Sequence, residues 1–144
     1  MSVAVAMPSL TELAITAAIA AAKVICDVYH RPIHVVTKSD GSPVTEADAA
    51  AEAVIIEHLS DTGLPILGEE SVAAGIIPVL GERYFVVDPL DGTKEFIKRN
   101  GEFTVNIGLV EHGRPIMGVV LAPATGELFV GDSAGAWSAK VVDG

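Results

Sequence analysis

Apolar residues in the first third of the chain recur at three- and four-residue steps. Leu10, Leu13, Ala14, Ala17, Ala21, Val24, Ile25 and Val28 form one stripe, which is the spacing of an amphipathic helix. Residues 1–8 form a loose lead-in, and Ser9 with Glu12 then sets a Ser-x-x-Glu capping box at the helix start. The stripe runs to about Tyr29, and Pro32 ends it. Residues 33–36 predict a short extended piece, and the turn formers of Lys38-Ser-Asp-Gly-Ser-Pro-Val44 predict an exposed loop. Thr45-Glu-Ala-Asp48 repeats the capping pattern. Ala47, Ala51, Val54, Ile55 and Leu59 mark the apolar face of a second helix, closed by Gly63.

Beyond Gly63 the pattern changes to short apolar runs. Leu64–Leu67 predicts a strand that leads into Gly68-Glu69-Glu70-Ser71. Neighbours on an extended chain point to opposite faces, so only one of Glu69 and Glu70 is expected to face a given site. Residues 72–82 read as a connecting loop, and Tyr84–Val87 as a buried strand. Pro89 has no N–H and biases Asp88 towards extended geometry, so pairing is expected to stop there, with Asp88 where strand becomes loop. Gly92 permits a sharp turn, and Thr93 opens a helical run through Arg99. Phe103–Val110, Pro115–Leu121, Gly126–Val130 and Ala136–Val142 are strand-like, with short gaps that can each close a hairpin. Two helices followed by mostly antiparallel strands predict an α+β fold, with both helices on one face of the sheet and residues 1–144 in one domain.

Composition narrows the function classes. The formal net charge of −10 argues against a nucleic acid polymer as partner. Cys26 is the single cysteine, which excludes a disulfide framework and a Cys-based metal site and leaves core packing as its role. The Ala- and Val-rich N-terminal stretch lacks a basic n-region and Glu12 interrupts it, so the expectation is a cytoplasmic protein without a transmembrane span. The chain ends just after a strand-like run with nothing to cover the sheet, which predicts a missing second half or a homo-oligomer.

The candidate chemistry is carboxylate chemistry. Asp88 and Asp91 lie three apart across a Pro-Leu turn, next to the unpaired N–H groups expected at the start of the Thr93 helix. Those donors suit a phosphate, whereas the two acids repel it. Two like charges ~4 Å apart cost about 4 kcal/mol at an effective dielectric of 20, so the pair needs a cation, a separating water or a proton. The structural alternative is that Asp91 caps the helix and Asp88 closes an Asx-type turn. Glu69, at another strand exit, adds a third hard oxygen donor, and a carboxylate-only set suits Mg²⁺ rather than Zn²⁺. Read from the residues alone, Asp48 satisfies a backbone N–H at its own helix start. Lys94, Lys98 and Arg99 form a basic cluster that is either solvated or holds a second anionic group. His30, His34, His58 and His112 read as structural, and Trp137 as core or edge packing.

Gly68-Glu-Glu-Ser71 and Asp88-Pro-Leu-Asp-Gly-Thr93 resemble the signature pair of the inositol monophosphatase superfamily of Mg²⁺-dependent phosphatases. The run from Asp88 to Ile107, with Lys94-Glu-Phe96 inside it, is similar to that of its CysQ-type 3′(2′),5′-bisphosphate nucleotidases. The resemblance spans about residue 9 to the C-terminus and implies the N-terminal half of an α/β/α/β/α layered sandwich. The Trp-Asp-x-Ala-Ala motif of the family's second half, which supplies a further metal ligand, is not in this sequence. The resemblance implies that Glu69, Asp88 and the Leu90 carbonyl bind one Mg²⁺ and that Asp88 and Asp91 share in a second, with two or three ions in the complete site. It also implies that Asp91, Gly92, Thr93 and Lys94 bind substrate, and that Glu69 orients the attacking water, assisted by Thr93 and Asp48. The expected substrate is a small phosphorylated molecule, 3′-phosphoadenosine 5′-phosphate. Inositol 1-phosphate, or a non-catalytic metal- and phosphate-binding module, stands as the alternative.

Overall fold

Ser9 Oγ accepts the Glu12 N–H at 3.1 Å, the serine half of the predicted capping box, at the start of helix α1 (Leu10–Tyr29). A computed structural model of the chain describes residues 9–29, 35–37, 43–73, 75, 78–91 and 103–142. Pro32, His30, His34 and the helical run expected over 93–99 lie outside these residues. Strands β1 (Val35–Thr37) and β2 (Pro43–Thr45) pair antiparallel as a small separate sheet. The Pro43-Val44 end of the expected loop is therefore a strand, because it has a partner in β1. Helix α2 (Glu46–Leu59) follows, and a 3₁₀ turn over Ser60–Thr62 ends at Gly63, whose φ of 74° is the left-handed conformation glycine tolerates.

α1 and α2 pack together through alanines. Ala14, Ala17, Ala18 and Ala21 on α1, and Ala47 and Ala51 on α2, are completely buried. Side chains this small let the two backbones approach closely. Ala21→Leu should therefore overpack the interface and destabilise the fold by about 1–3 kcal/mol, lowering the thermal unfolding midpoint. Ala53→Leu, on the exposed side of α2, should leave the midpoint almost unchanged.

The main sheet has six strands in the order β3-β4-β5-β6-β7-β8: Ile66–Gly68, Arg83–Asp91, Thr104–Glu111, Arg114–Ala122, Glu127–Asp132 and Gly135–Lys140. β3 runs parallel to β4 and every other pairing is antiparallel. β3 begins two residues later than expected and includes Gly68. Helix α3 (Glu69–Ala73) replaces the start of the expected loop. The β5–β6 turn is a two-residue hairpin at His112-Gly113, both with positive φ, the backbone that matches strand twist. At the β7–β8 turn Asp132 Oδ1 accepts the Ala134 N–H.

α1 packs on β5 and β6, and α2 on β3 and β4, so both helices cover one face. Val105, Ile107 and Leu109 of β5 and Met117, Val119 and Leu121 of β6 bury their side chains towards them. Trp137, on edge strand β8, is about half exposed. Cys26 is partly buried, with its thiol 3.6 Å from the Pro123 carbonyl oxygen. No helix among the described residues is long and apolar enough to cross a membrane.

Candidate metal and phosphate site

The parallel pairing of β3 with β4 positions the first two candidate carboxylates. The last register pair is Gly68↔Val87, so the residues that follow it come side by side: Glu69, where the chain leaves β3, and Asp88, still within β4. Glu69 is exposed and opens α3. The strand alternation expected for Glu69 and Glu70 does not apply, because the chain is already helical there.

Pro89 does not end the strand. β4 continues to Asp91 and absorbs the missing N–H in a β-bulge: Asp88 pairs with Asn106 and Asp91 with Thr104, leaving Pro89 and Leu90 opposite Val105 alone. Residues three apart on a regular strand fall on opposite faces. Thr104 and Asn106 are two apart, so the bulge brings the register positions of Asp88 and Asp91 onto one face. Leu90 turns into the core, 3% exposed, and Asp88 is half-buried with its Oδ1 enclosed. That shared face is the one away from the helices, since Val87 and Ile107 are buried on the helix side. Asn106, which sequence reasoning passed over, is the cross-strand neighbour of Asp88 and accepts a 3.4 Å hydrogen bond from Thr104 Oγ1.

Asp48 is 3% exposed on the face of α2 that packs on β3, α3 and β4. One turn along, Glu52 is also buried, and its Oε2 accepts both the Ser71 N–H (2.8 Å) and the Ser71 hydroxyl (2.6 Å). Sequence reasoning missed Glu52. The available signal was its four-residue spacing from Asp48, on a face otherwise made of Ala47, Ala51 and Ile55.

Gly92, Thr93, Lys94, Lys98 and Arg99 lie outside the described residues, as does the side chain of Asp91. Among the described residues no three His, Cys, Asp or Glu side chains are grouped closely enough to hold an ion. The donors at the strand ends nevertheless fit Mg²⁺ in kind. Glu69, Asp88 and the Leu90 carbonyl are all hard oxygens, while His58 Nδ1 is bonded to Val54 O, His112 sits against Glu82, and Cys26 lies against Pro123. A cleft of about 380 Å³ between α1 and the Pro123–Gly126 turn contains none of the candidate residues.

Residues 6–140 match the sequence profile of the inositol monophosphatase family. The chain belongs to that family. A curated relative from Escherichia coli (strain K12), named 3′(2′),5′-bisphosphate nucleotidase CysQ, is 50% identical over 109 residues, covering 74% of this chain and 44% of the relative. The chain thus spans less than half the length of that relative. Among solved structures of the inositol monophosphatase fold, CysQ from Bacteroides thetaiotaomicron has a TM-score of 0.73 at 40% identity, over 90% of this chain and 48% of that one. The suhB protein of Bartonella henselae has a TM-score of 0.76 at 29% identity, over 88% and 50%.

Proposed function

We propose that this chain carries the metal- and phosphate-binding half of an Mg²⁺-dependent phosphomonoesterase that removes the 3′-phosphate of 3′-phosphoadenosine 5′-phosphate, giving AMP and phosphate. The observation that supports this reading is the Gly68↔Val87 register of β3 with β4, the pair that immediately precedes Glu69 on one side and Asp88 on the other. The identity to CysQ relatives and the Lys94-Glu-Phe96 run support the nucleotide over other phosphate esters.

Glu69, Asp88 and the Leu90 carbonyl would hold one Mg²⁺, and Asp88 with Asp91 would share in a second. Bound there, such ions acidify a coordinated water and neutralise charge that develops on phosphoryl and leaving oxygens. The remaining tasks fall to the protein. The Glu69 carboxylate would orient the attacking water, whose proton would pass to the Thr93 hydroxyl as that hydroxyl hands its own proton to the Asp48 carboxylate. The Gly92 and Thr93 amides donate to phosphoryl oxygens, which binds the developing charge without reorganisation. Lys94 pairs with a second anionic group on the substrate, which inositol 1-phosphate lacks.

The test is phosphate release with Mg²⁺ from 3′-phosphoadenosine 5′-phosphate and from inositol 1-phosphate. The nucleotide should have the higher kcat/KM by roughly tenfold or more, the scale of one extra charge-assisted hydrogen bond. Preference for inositol 1-phosphate would overturn the substrate assignment. Metal binding without release of phosphate from either ester would identify a non-catalytic binding module instead.

A further inference from the structure

We infer that Glu52 is a positioning residue that locks the Gly68–Ser71 turn and so sets where the Glu69 carboxylate stands relative to Asp88. This rests on the proposal above that Glu69 and Asp88 hold the metal ion.

Glu52 makes contact on both sides of Glu69. After Glu69, its Oε2 accepts both donors of Ser71, the backbone N–H at 2.8 Å and the hydroxyl at 2.6 Å. Before Glu69, it lies against Gly68: a Cβ there would sit 2.6 Å from Glu52 Oε1 and 2.7 Å from its carboxyl carbon. A side chain at Gly68 would therefore have to push the carboxylate away from the end of β3. Glu52 is itself held in place, since it is 4% exposed and its neighbours Ala51 and Ile55 on α2 are completely buried. A carboxylate is costly to bury unless its hydrogen bonds are made. Burial in an alanine-rich helix is therefore difficult to explain as solubility or propensity. The arrangement ties a fixed point on α2 to the residues that flank Glu69, whose own side chain is exposed. Gly68, Glu52 and Ser71 thus act as one device, spread over sequence positions that local patterns do not connect.

Residues that orient metal ligands typically cost about 10–100-fold in metal affinity or activity when removed. The test combines a Mn²⁺ titration of this chain with backbone amide hydrogen exchange, on the parent and on Glu52→Ala, Glu52→Gln, Ser71→Ala and the surface control Glu57→Gln. Glu52→Ala and Ser71→Ala should weaken Mn²⁺ binding about 10–100-fold. They should also speed exchange at residues 69–71 by roughly tenfold, the scale of one lost hydrogen bond, with amides of β5 and β6 still protected. Glu52→Gln keeps an oxygen that can accept from Ser71 and should recover most of both losses, and Glu57→Gln should match the parent. Faster local exchange with unchanged Mn²⁺ affinity would overturn the inference, since Glu52 would then serve stability alone. If Glu52→Ala loses protection throughout the sheet, Ser71→Ala, a smaller change, decides the matter. A parent that takes up no Mn²⁺ overturns the metal proposal instead. The exchange arm still judges the device in that case: protection at residues 69–71 that survives both Glu52→Ala and Ser71→Ala rejects it.

Discussion

Asp88→Asn should reduce Mn²⁺ affinity and Mg²⁺-dependent phosphate release by more than the ~10–100-fold expected for residues that merely support a ligand, without unfolding the chain. The substitution keeps the shape of the side chain and one oxygen but removes the negative charge. It also presents an NH₂ group, which repels a cation wherever it replaces an oxygen. Asp88 is the residue that both proposed ions share, so one change impairs both. The fold should tolerate it because the path of β4 at this point is held by backbone pairing with Asn106 and by burial of Val87 and Leu90. Titration with Mn²⁺, phosphate release and a thermal melt on the same samples separate the effects. An Asp88→Asn chain with the parent's metal affinity would remove Asp88 from the site. Asp61→Asn, on the exposed 3₁₀ turn, provides the matched change of charge.

How much of this site could be read in advance depends on whether its cause is local. The Ser9–Glu12 cap, the apolar stripe of α1, the Gly63 stop and the His112-Gly113 hairpin all follow from residues within one or two turns of each other. Each was legible in the sequence. The two errors that matter for the site have long-range causes. Pro89 does remove an N–H, as a local reading says, but whether a strand stops there or bulges is decided by β5, which supplies one residue against two. The bulge bears on the proposed site, since it brings the register positions of two aspartates three apart onto one face. The Glu69–Ala73 helix was likewise hidden, because the acceptor for the Ser71 N–H comes from Glu52, 19 positions earlier. Asp48 was legible as a capping-box acid and as a motif residue, whereas Glu52 carried no local signal beyond its four-residue spacing from Asp48. Their burial follows from the packing of α2 on β3 and β4, which only the tertiary fold supplies. The motif residues were therefore visible, while the long-range packing around them was not.

The other large effect should come from a residue with no part in the chemistry. Phe85→Ala is expected to destabilise the fold by about 3–5 kcal/mol, a large share of the 5–15 kcal/mol typical of a native domain. Phe85 is completely buried in the middle of β4, where its register neighbours are Ile66 on β3 and Leu109 on β5. Its N–H also donates to the Pro65 carbonyl at 2.9 Å, so the residue joins the parallel and antiparallel parts of the sheet. Truncation leaves a cavity under α2, where surrounding strands are tied on both sides and can collapse only in part. Phe129 provides the internal comparison: it is the same residue type on β7, 48% exposed on the face away from the helices, and Phe129→Ala should change stability by no more than about 0.5 kcal/mol. In urea, the Phe85 variant should show a lower midpoint at an unchanged slope, the sign of lost stability rather than an altered unfolded state. Equal losses for the two variants would mean that both faces of the sheet are buried alike. A loss confined to Phe85→Ala would tie the parallel β3–β4 register, and with it the placement of Glu69 beside Asp88, to the core beneath α2.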